Sequence, residues 1–332
     1  MEEIVLGSSD VITSRIGLGT WAIGGWMWGG TDEKAAIETI HSALDKGINL
    51  IDTAPVYGFG KSEEIVGRAV AEYGGNRKPI FSTKATLDWS SGDIRRNGSR
   101  EQIMTEVEDS LRRLRTDTLD IYYVHWPDCS RPIAETAAVM RELYEKSVVR
   151  AIGVSNFTPD QMRIFASECP LHLCQPPFNI FERGIEQDIK PFCEKNDIAL
   201  MTYGAICRGL LSGKMSKNRT FNEGDLRLVD PKFKPPEYDH YLEAAERLKD
   251  LADHRFGCSL AAFSLRWIFE KGVPIAIWGA RTPSHLEPLD ELTGWSMDLA
   301  TFSAVDSILS ESIPNPLGPE FMAPPTGVRQ SG

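Results

Sequence analysis

One feature constrains this sequence more than any other. Apolar runs of strand length return along it from residue 15 to residue 279, separated by stretches with helical spacing. The runs are RIGLGTW (15–21), INLID (48–52), PIFSTK (79–84), TLDIYYVH (118–125), VVRAIGVSN (148–156), LHLCQ (171–175), IALMTY (198–203) and VPIAIWG (273–279), eight in all. Between the third and fourth, Ile103, Val107, Leu111 and Leu114 recur at helical intervals, and Ser99 and Gln102 have capping-box spacing. Thr158-Pro159 and Thr282-Pro283 read as further helix starts with proline at the first helical position. Strands that alternate with helices pair in parallel through right-handed crossovers, and near-continuous apolar strands are buried on both faces. Eight such units over 332 residues predict an α/β protein, a single (β/α)8 barrel spanning 1–332, rather than an open sheet. The polar interval 214–238 is too long for a plain connection and reads as an extended functional loop after strand 7. The proline-rich segment 313–332 reads as an irregular C-terminal tail that frays at its end.

Composition enters where partners are concerned. A net charge of −11 argues against broad capture of nucleic acid and makes any phosphate site local. There is no run of eighteen apolar residues and no basic, apolar leader at the N-terminus, so the expectation is a cytoplasmic protein without a membrane segment. The six cysteines have no repeated spacing. Cys169 and Cys174 flank His172 but lack a second closely spaced ligand pair, so buried free thiols are expected rather than a metal site. Gly17-x-Gly19 lacks the third glycine and the immediate helix of a dinucleotide fingerprint.

A barrel builds its site from the C-terminal ends of its strands. Here those ends carry Thr20 and Trp21, Asp52, Lys84, His125, Ser155 and Asn156, Gln175, Tyr203, and Gly279 with Arg281. Taken singly, Asp52 is a turn residue, Lys84 an ion-paired group and His125 a core histidine. An acid, a lysine and a histidine at successive strand ends form a constellation. Tyr57, in the turn after Asp52, has an ordinary pKa of about 10 and needs a neighbouring cation to act as an acid. Lys84 is that cation, and Asp52 offsets the cost of burying it. Four such groups describe an acid that protonates a carbonyl oxygen, but the chain offers no nucleophile for the carbon. It has no G-x-S-x-G and no H-E-x-x-H. A hydride from a reduced nicotinamide fits, with the flat face of Tyr203 as a stacking surface. Trp21, Trp26, Trp28, Phe59, Trp89 and Trp126 are either core or pocket wall; their positions after strand ends favour the wall.

Ordered motifs then bring a family into view: GINLIDTAPVYGFGKSEEIVGRAV (47–70), Lys84 after PIFST, SLRRLRTDTLDIYYVHWPD (110–128), GVSNF (153–157), QPPFNIFER (175–183), YGAICRGLLSGK (203–214) and WGARTPSHLEPL (278–289). Over nearly its whole length the chain resembles the aldo-keto reductases, in particular a bacterial branch of general-stress reductases and enzymes of small aldehydes and polyols. That resemblance implies NADP(H) bound without a Rossmann fingerprint and without a metal. It assigns Tyr57 as general acid, Lys84 as the residue that lowers its pKa, Asp52 as the partner of Lys84 and His125 as the orienting group. It implies cofactor contacts from Gly19, Thr20, Trp21 and Asp52, from Ser155, Asn156 and Gln175 around the carboxamide, and from Tyr203 by stacking. Gly204, Ala205, Arg208, Gly209, Leu210, Gly213 and Lys214 match the pyrophosphate stretch. Gly279, Arg281 and His285 match the adenosine end, where Arg281 meets the 2′-phosphate. The substrate pocket implied is Trp21, Trp28, Tyr57, Trp89, His125 and Trp126.

Two departures stand out, Pro288-Leu289 where many relatives carry Glu-Asn, and Ala205-Ile206 in place of Pro-Leu. The expected activity is reduction of small aldehydes or α-oxoaldehydes, reversible on polyols, with no obligate protein partner. The rival readings are a nicotinamide-sensing accessory subunit, which would turn over an aldehyde panel only weakly, and a metal-dependent hydrolase, which a chelator would inhibit.

Overall fold

A computed structural model describes residues 1–326. Eight parallel strands close into a barrel, numbered here β1 (Ile16–Gly19), β2 (Leu50–Asp52), β3 (Ile80–Ala85), β4 (Leu119–Val124), β5 (Val149–Ser155), β6 (Leu173–Gln175), β7 (Ala199–Thr202) and β8 (Ile275–Gly279). They run round the ring in chain order, and β8 pairs with β1 through Ile277 and Gly17. All eight predicted runs are barrel strands. Period-2 alternation divides each between two cores. In β4, Ile121 and Tyr123 point into the barrel, while Tyr122 and Val124 pack against the helices. Tyr123 fits inside because β5 opposes it with Gly153, whose Cβ would lie 2.2 Å from the ring. Gly17 makes the same kind of room, since a Cβ there would meet Leu50 and Ile277. The Gly-x-Gly of the first strand is barrel packing.

The outer helices are α1 (Glu33–Asp45), α2 (Lys61–Glu72), α3 (Arg100–Leu114), α4 (Ile133–Glu145), α5 (Pro159–Glu168), α6 (Ile189–Lys195), α7 (Glu237–Phe256), α8 (Leu260–Glu270) and α9 (Leu299–Ser312). Ser99 caps α3 by accepting from Gln102 N, and Thr158 with Gln161 forms a full capping box on α5. Thr282-Pro283 starts a helix as expected, with Thr282 at the N-cap and proline in the first turn. It opens a 3-10 helix, Pro283–Glu291, because Pro288 lacks the N–H that an α-helix would need there.

Two additions were not anticipated. An antiparallel hairpin, Glu3–Val5 with Ile12–Ser14, delivers the fully buried Leu6 and Val11 to the interior core at the N-terminal end of the barrel. A second hairpin, Leu87–Asp88 with Arg95–Arg96, follows β3. The interval 214–238 is a loop after β7, as expected, but is pinned by two 3-10 turns, Leu226–Leu228 and Pro231–Phe233, capped by Asp225 and Asp230. The N–H of Leu226 donates to Met27 O, so this loop reaches the one after β1. The tail leaves α9, and Arg96 holds it through Pro324 O and Pro325 O. The end of the predicted tail, 327–332, lies outside the described residues. Among the described residues no helix is long and apolar enough to cross a membrane.

Candidate active site

The site is the C-terminal mouth of the barrel. Lys84 ends the inward-facing row of β3 and is 1% exposed. Its Nζ donates to Asp52 Oδ2 at 2.7 Å and to Thr53 O at 2.9 Å. The other oxygen of Asp52 accepts from Ser82 Oγ at 2.8 Å and Gln175 Nε2 at 3.0 Å. Removing both charges from water costs several kcal/mol per ion, and only this complete set of partners makes the pair tenable. Sequence reasoning missed Ser82, although it lies on the same face of β3 as Lys84, two residues earlier.

Tyr57 lies over the pair, its ring centroid 5.1 Å from Lys84 Nζ. The His125 ring meets it edge-on at 5.9 Å, and Trp21 stacks on it at 5.8 Å. The four side chains expected to act together are therefore gathered at one point. The electrostatics differ from expectation. Burial pushes the Tyr57 phenol well above its usual range, and the Asp52 carboxylate pushes the same way. The cation of Lys84 does not draw it down, because Asp52 already neutralises that charge. Burial also lowers the pKa of Lys84 itself. It pushes His125 well below the usual imidazole range, with Lys84 adding to the effect, so His125 is neutral. The phenol thus carries its proton throughout the neutral range.

The residues expected around a carboxamide form a chain of hydrogen bonds. The Tyr203 hydroxyl donates to Asn156 Oδ1, and Asn156 Nδ2 donates to Ser155 Oγ and His125 O. Ser155 Oγ donates to Gln175 O, and Gln175 continues to Asp52. Thr20 Oγ1 donates to Asp52 O, and a Cβ on Gly19 would meet Ile277. After β7, Gly204, Gly209 and Gly213 adopt positive φ, and Ala205 and Leu210, next to the first two, are buried. Lys214 is exposed beside them. Arg208 stands differently from expectation. Its guanidinium turns inward to Glu182 and Asp230. The acids neutralise it, so at the mouth Arg208 offers backbone and not charge.

Arg281 is the opposite case. Its guanidinium donates to two carbonyl oxygens, Trp28 O and Gly30 O, each at 2.7 Å, and among the described residues it forms no ion pair. With Gly279 exposed behind it and His285 beside it, it lines a cavity of about 230 Å³ at the start of α1. An amide-rich aromatic surface at one end and a guanidinium without an ion pair at the other fit a nicotinamide dinucleotide. Buried indole N–H groups of Trp21 and Trp28, without partners in the described structure, leave donors available. The indoles of the expected pocket stand in two groups, Trp21 and Trp28 on one side of Tyr57 and Trp89 and Trp126 in the cluster around Ala54, Val56 and Leu87. Trp28 meets Trp21 edge-on at 5.7 Å, Trp89 lies 5.8 Å from Phe59, and Trp126 lies 5.0 Å from the guanidinium of Arg96. Among the described residues no His, Cys, Asp and Glu cluster suits a metal ion.

A closed parallel barrel with a buried lysine–carboxylate pair under a tyrosine at its mouth defines a class, the barrel oxidoreductases that need no Rossmann domain. The chain belongs to the aldo/keto reductase family, whose model matches residues 15–309. It is 52% identical over 327 residues to the aldo-keto reductase YhdN of Bacillus subtilis, covering 98% of this chain and 99% of that one. It is 36% identical over 302 residues to the NADH-specific methylglyoxal reductase of Escherichia coli, covering 86% and 91%. Among solved structures, the glycerol dehydrogenase AKR11B4 from Gluconobacter oxydans matches with a TM-score of 0.86 and 49% identity, covering 97% of this chain and 99% of that one. This is an oxidoreductase of a family that uses nicotinamide cofactors.

Proposed function

We propose that the protein reduces small aldehydes and α-oxoaldehydes with NADPH, and that it runs in reverse on polyols. A reduced nicotinamide would supply the hydride, and Tyr203, Asn156 and Gln175 would hold its ring and carboxamide. Neutral His125 donates one ring N–H to the substrate carbonyl oxygen and fixes its orientation. Tyr57 gives that oxygen its proton, which burial keeps on the phenol across the neutral range. Lys84 and Asp52, a pair whose charges offset each other, lie beneath the Tyr57 ring and hold the floor of the site in place. NADPH is favoured because Arg281 is a cation that forms no ion pair with a described carboxylate, and a guanidinium matches phosphate geometry. The small-aldehyde class is supported by the relatives named for methylglyoxal and glycerol.

The observation that carries this reading is the Asp52–Lys84 pair buried under the Tyr57 ring. Replacing Tyr57 with Phe removes only the hydroxyl. We expect kcat/KM for aldehyde reduction to fall by about 10²–10⁴, while NADPH binding, followed by fluorescence titration, is unchanged. Near-full turnover in Tyr57→Phe would overturn the acid assignment.

A further inference from the structure

A buried ionic cluster lies outside the catalytic tetrad, and the proposed chemistry does not use it. The side chains of Glu182, Arg208, Asp230 and Lys232 expose 1%, 4%, 0% and 0% of their surface. They come from separate segments: the turn after β6, the turn after β7 and the 214–238 loop, named here the covering loop. Arg208 donates from Nε to Asp230 Oδ2 at 2.6 Å, from Nη2 to Glu182 Oε1 at 2.5 Å and from Nη1 to Glu182 Oε2 at 3.2 Å. Lys232 Nζ lies 2.9 Å from Glu182 Oε1 and donates to Gly318 O, in the tail, at 2.7 Å. The ring of Phe321, further along the tail, lies 5.6 Å from the Arg208 guanidinium. On the other side, Asn179 Nδ2 donates both to Glu182 Oε2 at 2.8 Å and to Gly204 O at 3.0 Å, next to Tyr203.

Two acids and two bases balance, and each is held by the others. Such a cluster adds little stability over apolar packing of the same volume, but removing one member strands a buried charge. Loss of any one member therefore disturbs all the segments that the others hold. We infer that Glu182, Arg208, Asp230 and Lys232 are positioning residues that join the Tyr203–Gly204 segment, the covering loop and the C-terminal tail into one unit, coupling cofactor occupancy to the ordering of the tail. The inference rests on the proposed seat of the nicotinamide at Tyr203. From Gly318 the tail runs to Arg96 on the hairpin after β3, so the coupled unit reaches from the cofactor side of the mouth to the substrate side.

The test is amide hydrogen exchange of residues 316–326 in the full chain, with and without saturating NADPH, together with NADPH affinity by fluorescence titration. NADPH is expected to slow exchange of this segment, and Lys232→Met to lose that slowing. Because coupling is reciprocal, the variant should also bind NADPH more weakly by about tenfold. If Lys232→Met does not fold, Asp230→Asn, which keeps volume and the Lys232 amine, should show the same two losses. A tail whose exchange ignores NADPH in the unaltered protein, or variants that bind and respond as it does, would overturn the inference. Neither readout needs turnover, so an enzyme that binds NADPH but reduces no aldehyde would sink the proposed reaction and leave this coupling to its own result.

Discussion

At the scale of single residues, burial decides more than proximity. The identities at the strand ends were legible because a barrel must present those positions at its mouth, and Asp52, Lys84 and His125 meet there with Tyr57. The protonation behaviour was not legible, because it depends on how much water each group loses, which spacing does not reveal. Glu106 on α3 is a further case. It accepts from Thr86 N at 2.7 Å, and Thr86 holds a left-handed φ of 83° two residues after Lys84. Burial pushes the Glu106 carboxyl from 4.5 up to about 8, against the hydrogen bond from Thr86, with Glu63 nearby adding to the rise. Between those values the native protein holds a proton that the unfolded chain has lost. Its contribution to stability is therefore full below about pH 4.5 and is lost as pH rises through about 8. The isosteric, neutral Glu106→Gln should flatten the fall in Tm over that window; melting curves at a series of pH values in both proteins check this.

At the scale of elements, two backbones interlock behind the proposed acid. Gly58 adopts a φ of 67°, and a Cβ there would stand 2.2 Å from Gly24 O. A Cβ on Gly24 would in turn stand 2.6 Å from Tyr57 O. The single helical turn Trp21–Gly24 and the loop after β2 thus fix each other with no side chain between them. Gly58→Ala should cost about 1–2 kcal/mol from its backbone conformation alone, and more as the loops part. An ångström of displacement at Tyr57 is enough to cost about 10²-fold in rate. We expect a folded, less stable protein whose kcat/KM falls further than its NADPH affinity, read by thermal melting, steady-state kinetics and titration. The eight strands were legible at this scale because both-face burial writes itself as apolar runs. The two hairpins were not, since their short strands are partly exposed and form no apolar run buried on both faces. Thr282-Pro283 was half legible: the start was right, and Pro288 decided which helix followed.

For the whole molecule, the cofactor is expected to act as a clamp. Arg281 already joins the end of β8 to the loop after β1 through Trp28 O and Gly30 O, and the covering loop meets the same region at Met27. A phosphate on Arg281 would strengthen that closure. At equal saturation relative to Kd the two cofactors stabilise equally, so the comparison is made at equal concentration, where the tighter ligand raises Tm more. NADPH should exceed NADH in the unaltered protein, and Arg281→Ala should erase most of the difference; an equal loss for both would remove the phosphate role. The barrel, the long loop after β7 and the described part of the tail were legible. The ionic cluster was not, because Glu182, Arg208 and the neighbours Asp230 and Lys232 stand on three segments far apart in sequence and no local pattern joins them.

The N-terminal hairpin leaves the molecule with two very different ends. Leu6 and Val11 stop the barrel at the face opposite the mouth, while Val5 and Ile12 beside them stay 56% and 48% exposed. A tether attached to that outer edge would hold the molecule by its closed end, turning every open end toward the solution. The hairpin is thus a natural anchoring point for arranging the enzyme on an electrode or a sensor film with all its mouths facing one way.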